Sequence, residues 1–268
     1  MEPALVGGKG RRTGVLRQHF SYRSSHHLKK NELQPHLKRC WCIGKINSRF
    51  IAKMERVLAL YVLPYDRLYP VICFDERPCF LIGDRVEPLA LQSGRVRKEH
   101  YAYQKLGSCA LLAAIEPLTG RRLARVYHQR TKKEFALFCQ TLAQAYPEAV
   151  KIRLVLDNLN THDPSAFYEH FPAGEALALA QRFEFIFTPE SASWLNMIEI
   201  EFSALTRLCL DRRIPTIELL ESEVMAIMAD RNRKRIKINW QFSIQTAREK
   251  LNSHYSVVNP ANKIVQET

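Results

Sequence analysis

Apolar positions along the chain change period several times, and each change marks an element. Over residues 46–61, Ile46, Phe50, Met54, Val57, Leu58 and Tyr61 recur every three or four positions, which predicts a helix stopped by Pro64. After Pro70 the pattern becomes strand-like. Val71 to Phe74 is a short apolar run closed by Asp75, Ser108 to Ile115 is a longer one, and Leu123 to His128 follows a Thr119-Gly120 turn. The short or loop-like links predict three consecutive antiparallel strands. Thr131 and Glu134 form a capping box that opens a helix through Ala145, with Phe135, Phe138, Cys139 and Leu142 as its inward stripe.

Ile152 to Leu156 then predicts a fourth strand, closed by Asp157. A helix around Glu175 to Arg182 leads to a fifth strand, Phe183 to Phe187. Beyond it, one long helix is expected over Ser193–Leu210, and two more over Thr216–Arg231 and Ser243–Asn252. Three strands, helix, strand, helix, strand, helix is an order in which the later strands join the sheet in parallel by crossover connections. It predicts an α/β fold of the ribonuclease-H-like type: a mixed five-stranded sheet flanked by helices, with a basic N-terminal extension and C-terminal helices.

Composition narrows the class. The longest apolar runs, Val57–Leu63 and Cys109–Ile115, are far shorter than the ~20 residues of a membrane-spanning helix, so no membrane partner is expected. No apolar signal region follows the basic N-terminus. Seven cysteines, an odd number scattered through 268 residues, predict reduced thiols in a cytoplasm. His36, Cys40 and Cys42 lack the spacing and the fourth ligand of a structural zinc site.

Charge is uneven. Of the net +13, residues 1–60 carry +10, with 13 Lys or Arg against Glu2, Glu32 and Glu55. A cationic front with Phe20, Tyr22 and Trp41 interspersed predicts contact with a polyanion, since neutralised phosphates release condensed counterions. Lys29, Lys30, Lys38 and Arg39 are its candidate DNA contacts, joined by Arg130, Lys132 and Lys133 at a helix start and by the run Arg231–Lys237.

Asp75 and Asp157 each follow a buried-type strand, where ligands of open α/β sheets bind. An acid there is costly without a cation or hydrogen-bond partner. The stretch 194–202 offers a third acid. Leu195, Ile198, Phe202, Leu205 and Cys209 form one apolar stripe with Glu199 and Glu201 on opposite shoulders, and periodicity does not choose between them. Three converging carboxylates repel one another unless a hard divalent cation joins them. Mg²⁺ or Mn²⁺, as two ions, suits such a set and supports phosphodiester cleavage or transfer.

The stretches Cys73-Phe74-Asp75-Glu76, Leu156-Asp157-Asn158-Leu159-Asn160-Thr161-His162 and Ser193-Trp194-Leu195-Asn196-Met197-Ile198-Glu199 resemble the three blocks of bacterial insertion-sequence transposases of the mariner-like DDE superfamily, in insertion-sequence family six-thirty. Residues 30–36, 210–215 and 239–242 resemble it too, and the likeness covers roughly residues 25–255. It implies that Asp75, Asp157 and Glu199 are the catalytic, metal-binding triad, with Glu199 favoured because the family's acid follows an Asn by three residues. It implies orienting or substrate-contacting roles for Asn158, His162 and Asn196. The implied activity is metal-dependent cleavage of DNA at transposon ends and strand transfer into target DNA, by a homodimer associated with a bacterial nucleoid.

The resemblance begins near Ser25, where the family carries a full helix-turn-helix domain, so an N-terminally truncated chain is expected. The expected division is 1–64 as a basic segment with a remnant of a DNA-binding region, 65–212 as the catalytic domain, and 213–268 as a C-terminal helical extension. Two other readings stay open: a remnant that only binds DNA, and a related ribonuclease-H-like nuclease.

Overall fold

In the computed structural model, residues 46–86 and 100–262 are described, all within one compact unit of residues 44–268. Helix α1 (Ser48–Tyr61) is capped by Asn47, whose side chain accepts a hydrogen bond from the Phe50 N–H at 2.8 Å. Three antiparallel strands follow: β1 (Val71–Asp84), β2 (Tyr103–Glu116) and β3 (Arg121–Tyr127). Helix α2 (Lys132–Ala145) has the reciprocal Thr131–Glu134 capping box the sequence predicts. Strand β4 (Ile152–Leu156), short helices α3 (Ser165–His170) and α4 (Ala173–Gln181), and β5 (Phe183–Phe187) complete the sheet. Its order is β3-β2-β1-β4-β5, with β4 and β5 parallel to β1, so the expected mixed five-stranded α/β fold is present.

Two apolar layers sandwich the sheet. Phe74, Leu112, Leu154 and Leu156 face α2, α3 and α4; Cys73, Ala113 and Val155 face α1 and the later helices. This alternation decides which face receives each acid, because successive strand residues point to opposite sides.

Four elements differ from expectation, the first being α3, a helix ahead of the single one expected between β4 and β5. β1 does not end at Asp75 but runs on to Asp84, paired with β2 throughout. The polar stretch Glu76-Arg77-Pro78 looks like a strand terminus, yet it lies opposite the apolar run Leu112-Leu111-Ala110 of β2. β4 pairs with β1 only as far as Cys73, so one edge of β1 is open beyond it and Pro78 is tolerated there. The single long helix expected over 193–210 is three pieces: a 3₁₀ turn (Ser193–Leu195), α5 (Ile198–Leu205) and a π-helical turn (Thr206–Leu210). The first break falls at Asn196, which is extended; the second falls where the Arg77 guanidinium and the Thr206 hydroxyl both bond the Phe202 carbonyl. Finally, α6 (Ile217–Arg233) is followed by two helices rather than one, α7 (Ile244–Lys250) and α8 (Asn252–Val258).

The C-terminal helices dock on α1 through Glu55. Its carboxylate accepts from Arg248 at 2.8 and 3.0 Å and from the Tyr255 hydroxyl at 2.7 Å. The Arg248 hydrogen bonds hold the Glu55 carboxyl below its usual 4.5, against the opposing pull of partial burial. A depressed acid contributes stability above its unfolded value and loses it as pH falls through its folded value. The stability gap between the wild type and Glu55→Gln in urea unfolding should therefore be full at neutral pH and close progressively below about pH 4.5. The pair is partly solvated, so the gap is modest; a gap that widens in acid contradicts this assignment.

The five described cysteines are free thiols. Among the described residues no helix is long and apolar enough to cross a membrane.

Candidate active site

Asp75 and Asp157 are set side by side by strand register. β1 and β4 pair Val71 with Arg153 and Cys73 with Val155, so two residues further along the same offset sets Asp75 against Asp157. Both are two residues beyond a side chain of the Cys73/Val155 face, so both belong to the face that α5 covers. α5 supplies Glu199, half-buried in its first turn. Three acids from β1, β4 and α5 thus share one side of the sheet edge.

Their fields overlap. Burial pushes the Asp75 carboxyl up to about 7; the Glu76 N–H, donating to Asp75 Oδ1 at 2.7 Å, opposes this, while the charges of Asp157 and Glu199 push it further up. Burial also disfavours the charged form of Asp157, but His162 and the Leu159 N–H outweigh it and hold Asp157 below the usual range.

Among the described residues, no three His, Cys, Asp or Glu side chains stand close enough to hold a metal ion. Two of the oxygens have protein partners: Asp157 Oδ1 is 2.6 Å from His162 Nδ1, and Asp75 Oδ1 accepts from the Glu76 N–H at 2.7 Å. The donor set nonetheless suits a hard divalent cation. All its donors are carboxylate oxygens, and their mutual repulsion at Asp75 is what a cation relieves.

His162 is buried against the rings of Phe74 and Phe135, at centroid distances of 5.3 and 5.0 Å. Burial opposes its charged form, but the hydrogen bond and charge of Asp157, together with Glu76, raise it to about 9. Glu76 Oε2 lies 3.8 Å from His162 Nε2, longer than a hydrogen bond, and its Oε1 lies 3.1 Å from Arg130 Nε. Arg130, Glu76, His162 and Asp157 therefore form a chain of alternating charge ending on a candidate ligand. His162, expected to orient or to contact substrate, is buried behind Asp157 and bonded to it. Asn158 is exposed beside Asp157.

Asn196 is likewise turned away from solvent. Its side-chain amide donates to the Phe74 carbonyl at 2.8 Å, its side-chain oxygen accepts from the Ile198 N–H at 3.4 Å, and its backbone carbonyl accepts from the Glu199 N–H at 3.1 Å. One buried side chain thus ties the residue before Asp75 to the turn that begins the Glu199 helix. Removing it in Asn196→Ala leaves the Phe74 carbonyl unpaired, a cost of about 1–3 kcal/mol in urea unfolding. The same substitution should lower the cleavage rate of the protein that remains folded; an unchanged rate would show that this tie does not position the acids.

The segment around Asn196 is held from outside as well. The Tyr61 hydroxyl donates to the Leu195 carbonyl at 2.8 Å, and Trp194 and Trp240 pack edge-on against Phe242 and Tyr61.

Glu201 is placed differently from Glu199. It is fully buried, with Oε1 at 2.7 Å from Arg231 Nε and 2.9 Å from Arg122 Nε, and Oε2 at 3.0 Å from Arg231 Nη2. Its oxygens are occupied by two guanidinium groups. Arg231, expected among the phosphate-tracking residues, is committed to this ion triad. Lys132 pairs with Glu169, while Lys133 is exposed on the first turn of α2. Lys29, Lys30, Lys38 and Arg39 lie outside the described residues. Sequence reasoning missed Arg122 and Glu76 as determinants of the site. The signal for Glu76 was its adjacency to Asp75; Arg122 had none, because its partner is remote in the chain.

A mixed sheet in this order, with acids at the edge where β1 passes the end of β4, defines a ribonuclease-H-like catalytic fold. Comparison makes the assignment specific. The DDE superfamily endonuclease model matches residues 70–221, more than half of the 268-residue chain, and the chain belongs to that family. Among solved structures, the Mos1 mariner paired end complex with Mn aligns at a TM-score of 0.51 with 10% identity, covering 100% of this chain and 83% of that one. The Mos1 strand transfer complex gives the same values. At this identity the likeness bears on the fold. No match was found among curated proteins.

Proposed function

We propose that the chain is the catalytic part of a bacterial mariner-like transposase, of insertion-sequence family six-thirty, that cuts DNA and joins the freed 3′-hydroxyl to target DNA. The observation that carries this reading is the shared field of Asp75, Asp157 and Glu199 on one side of the sheet edge, in a chain of the DDE endonuclease family. Residues 65–212 would form the catalytic domain, 213–268 a helical extension and 1–64 a basic DNA-contacting segment. A homodimer would bring two element ends together, in a bacterial cytoplasm at the nucleoid.

Asp75, Asp157 and Glu199 are the residues that would hold Mg²⁺ or Mn²⁺; Glu201, the alternative third acid, is occupied by Arg122 and Arg231. Divalent ions bound there would activate the attacking oxygen and stabilise the leaving one. The chain's own part is positioning. Asn196 fixes the spacing between β1 and α5, and the Arg130–Glu76–His162 chain steadies the Asp157 carboxylate. Asn158, exposed beside Asp157, is suited to meet substrate. The Mos1 mariner paired end complex was solved with Mn, which supports divalent metal use here by analogy of fold.

The test is nicking of supercoiled plasmid with Mg²⁺ or Mn²⁺ and with EDTA. Metal-dependent nicking supports the reading. Salt-sensitive binding without nicking favours a DNA-binding remnant, and cleavage restricted to RNA–DNA hybrids favours a ribonuclease.

A further inference from the structure

The end of the sheet remote from the acids carries a second charged feature. A cleft of about 820 Å³ opens where the loops before β1 and β4, the β2–β3 turn and the segment after α6 meet. Arg67, Arg121, Arg235 and Lys237 line it, drawn from three separate stretches of chain. Two acids oppose them. Glu148 pairs with Arg67 at 3.2 Å, and Glu116 is buried at the floor, where burial raises its carboxyl above the usual range. The Arg121 guanidinium lies 4.4 Å over the Tyr146 ring. Arg235 and Lys237 make no ion pair among the described residues, so two cations on this rim are uncommitted.

The rim that bears them is held rigidly. Asn232 brackets Arg122, accepting from its N–H at 2.8 Å and donating to its carbonyl at 3.0 Å. Arg122 in turn donates to the Ile236 carbonyl at 2.6 Å, and the Ile238 N–H donates to Pro117 at 3.1 Å. Gly120 makes this approach possible. Its φ is +76°, and a Cβ there would stand 2.7 Å from the Ile236 carbonyl oxygen. Arg235 itself takes a left-handed backbone, φ 48°, in the pinned loop. The loop's path is thus fixed by buried groups rather than by its own surface charges.

We propose that this cleft is a second DNA-backbone site, gripping phosphates away from the point of cleavage. β4 runs from the cleft end to Asp157, about 17 Å at ~3.3 Å per residue, so a phosphate held here is not the one at the acids. The cleft is far larger than a single phosphate needs, and its cations come from separate segments, as contact with a run of phosphates requires. The choice of DNA as the polyanion rests on the functional reading above; the cleft itself does not.

The experiment uses the full chain and a labelled duplex of arbitrary sequence, measuring affinity by fluorescence anisotropy across a salt series without divalent metal. In Arg235→Gln/Lys237→Gln the affinity should fall about tenfold, and the slope of log K against log salt should flatten by about 2, one per lost phosphate contact. Arg235→Lys/Lys237→Arg should restore both, since it keeps the two positive charges. If the Gln variant melts like the wild type yet keeps its affinity and salt slope while the wild type nicks DNA, the cleft proposal is overturned and the enzymatic reading stands. A wild type that nicks nothing but shows the same charge-dependent binding upholds the cleft and counts against the enzyme. Loss of inorganic phosphate binding in the variant with DNA affinity intact would mark a small-anion site and overturn the proposal.

Discussion

Asp157→Asn is expected to lower metal-dependent DNA cleavage by on the order of 10³-fold or more, with the fold intact. The substitution keeps the shape of the side chain and removes the charge that a cation needs. Ligation of this kind contributes several kcal/mol at the transition state, and each 1.36 kcal/mol is a factor of ten in rate. His162 loses its charged partner in the same step, because Asp157 Oδ1 is 2.6 Å from its Nδ1. Asp75→Asn and Glu199→Gln should have effects of the same order, since both acids share the field at this site. Initial nicking rates on supercoiled plasmid, with melting temperature as the folding control, make the comparison. An Asp157→Asn protein that cuts at near the wild-type rate would remove that residue from the proposed mechanism.

The second large effect is on stability, and it separates Glu201 from Glu199. Glu201→Ala should cost about 3–5 kcal/mol, because it strands two cations in the interior. Arg122 is buried and Arg231 nearly so, and Glu201 is within 2.9 Å of both. Total stabilities of domains are about 5–15 kcal/mol, so much of the protein could be lost to unfolding. Glu201→Met/Arg122→Met should recover only part of the loss, since it removes one cation along with the acid but leaves Arg231 without its partner and the Ile236 carbonyl without its donor. Urea midpoints for the single and double variants decide this. If Glu201→Ala unfolds at the wild-type midpoint, the triad is not a structural anchor and Glu201 returns as a candidate ligand.

These two acids show where sequence reading reached and where it stopped. The five strands and the Thr131–Glu134 cap were legible because their signals are local: alternation, short apolar runs, and a box spanning four residues. The stripe Leu195, Ile198, Phe202, Leu205 and Cys209 was legible too, and all five are buried. Which shoulder of that stripe is tied up in the interior was not legible from period, because Glu201 is paired with Arg122 and Arg231, brought up by β3 and α6. The length of β1 was hidden for a similar reason. Glu76-Arg77-Pro78 is locally a poor strand, and only pairing with the apolar run of β2 keeps it extended. Asn196 broke the expected helix because its side chain is spent on the Phe74 carbonyl, a partner far away in sequence. Local chemistry thus marked the acids, and long-range partners decided how each is used.

The account's central claim is that Asp75, Asp157 and Glu199 can close on a common divalent cation. A crystal structure of the protein grown with Mn²⁺, read by anomalous scattering, tests it most directly. The account predicts a manganese peak at the edge of β1 and β4, within coordination distance of oxygens from all three side chains. Manganese bound elsewhere, or ligated there without one of the three, would contradict it.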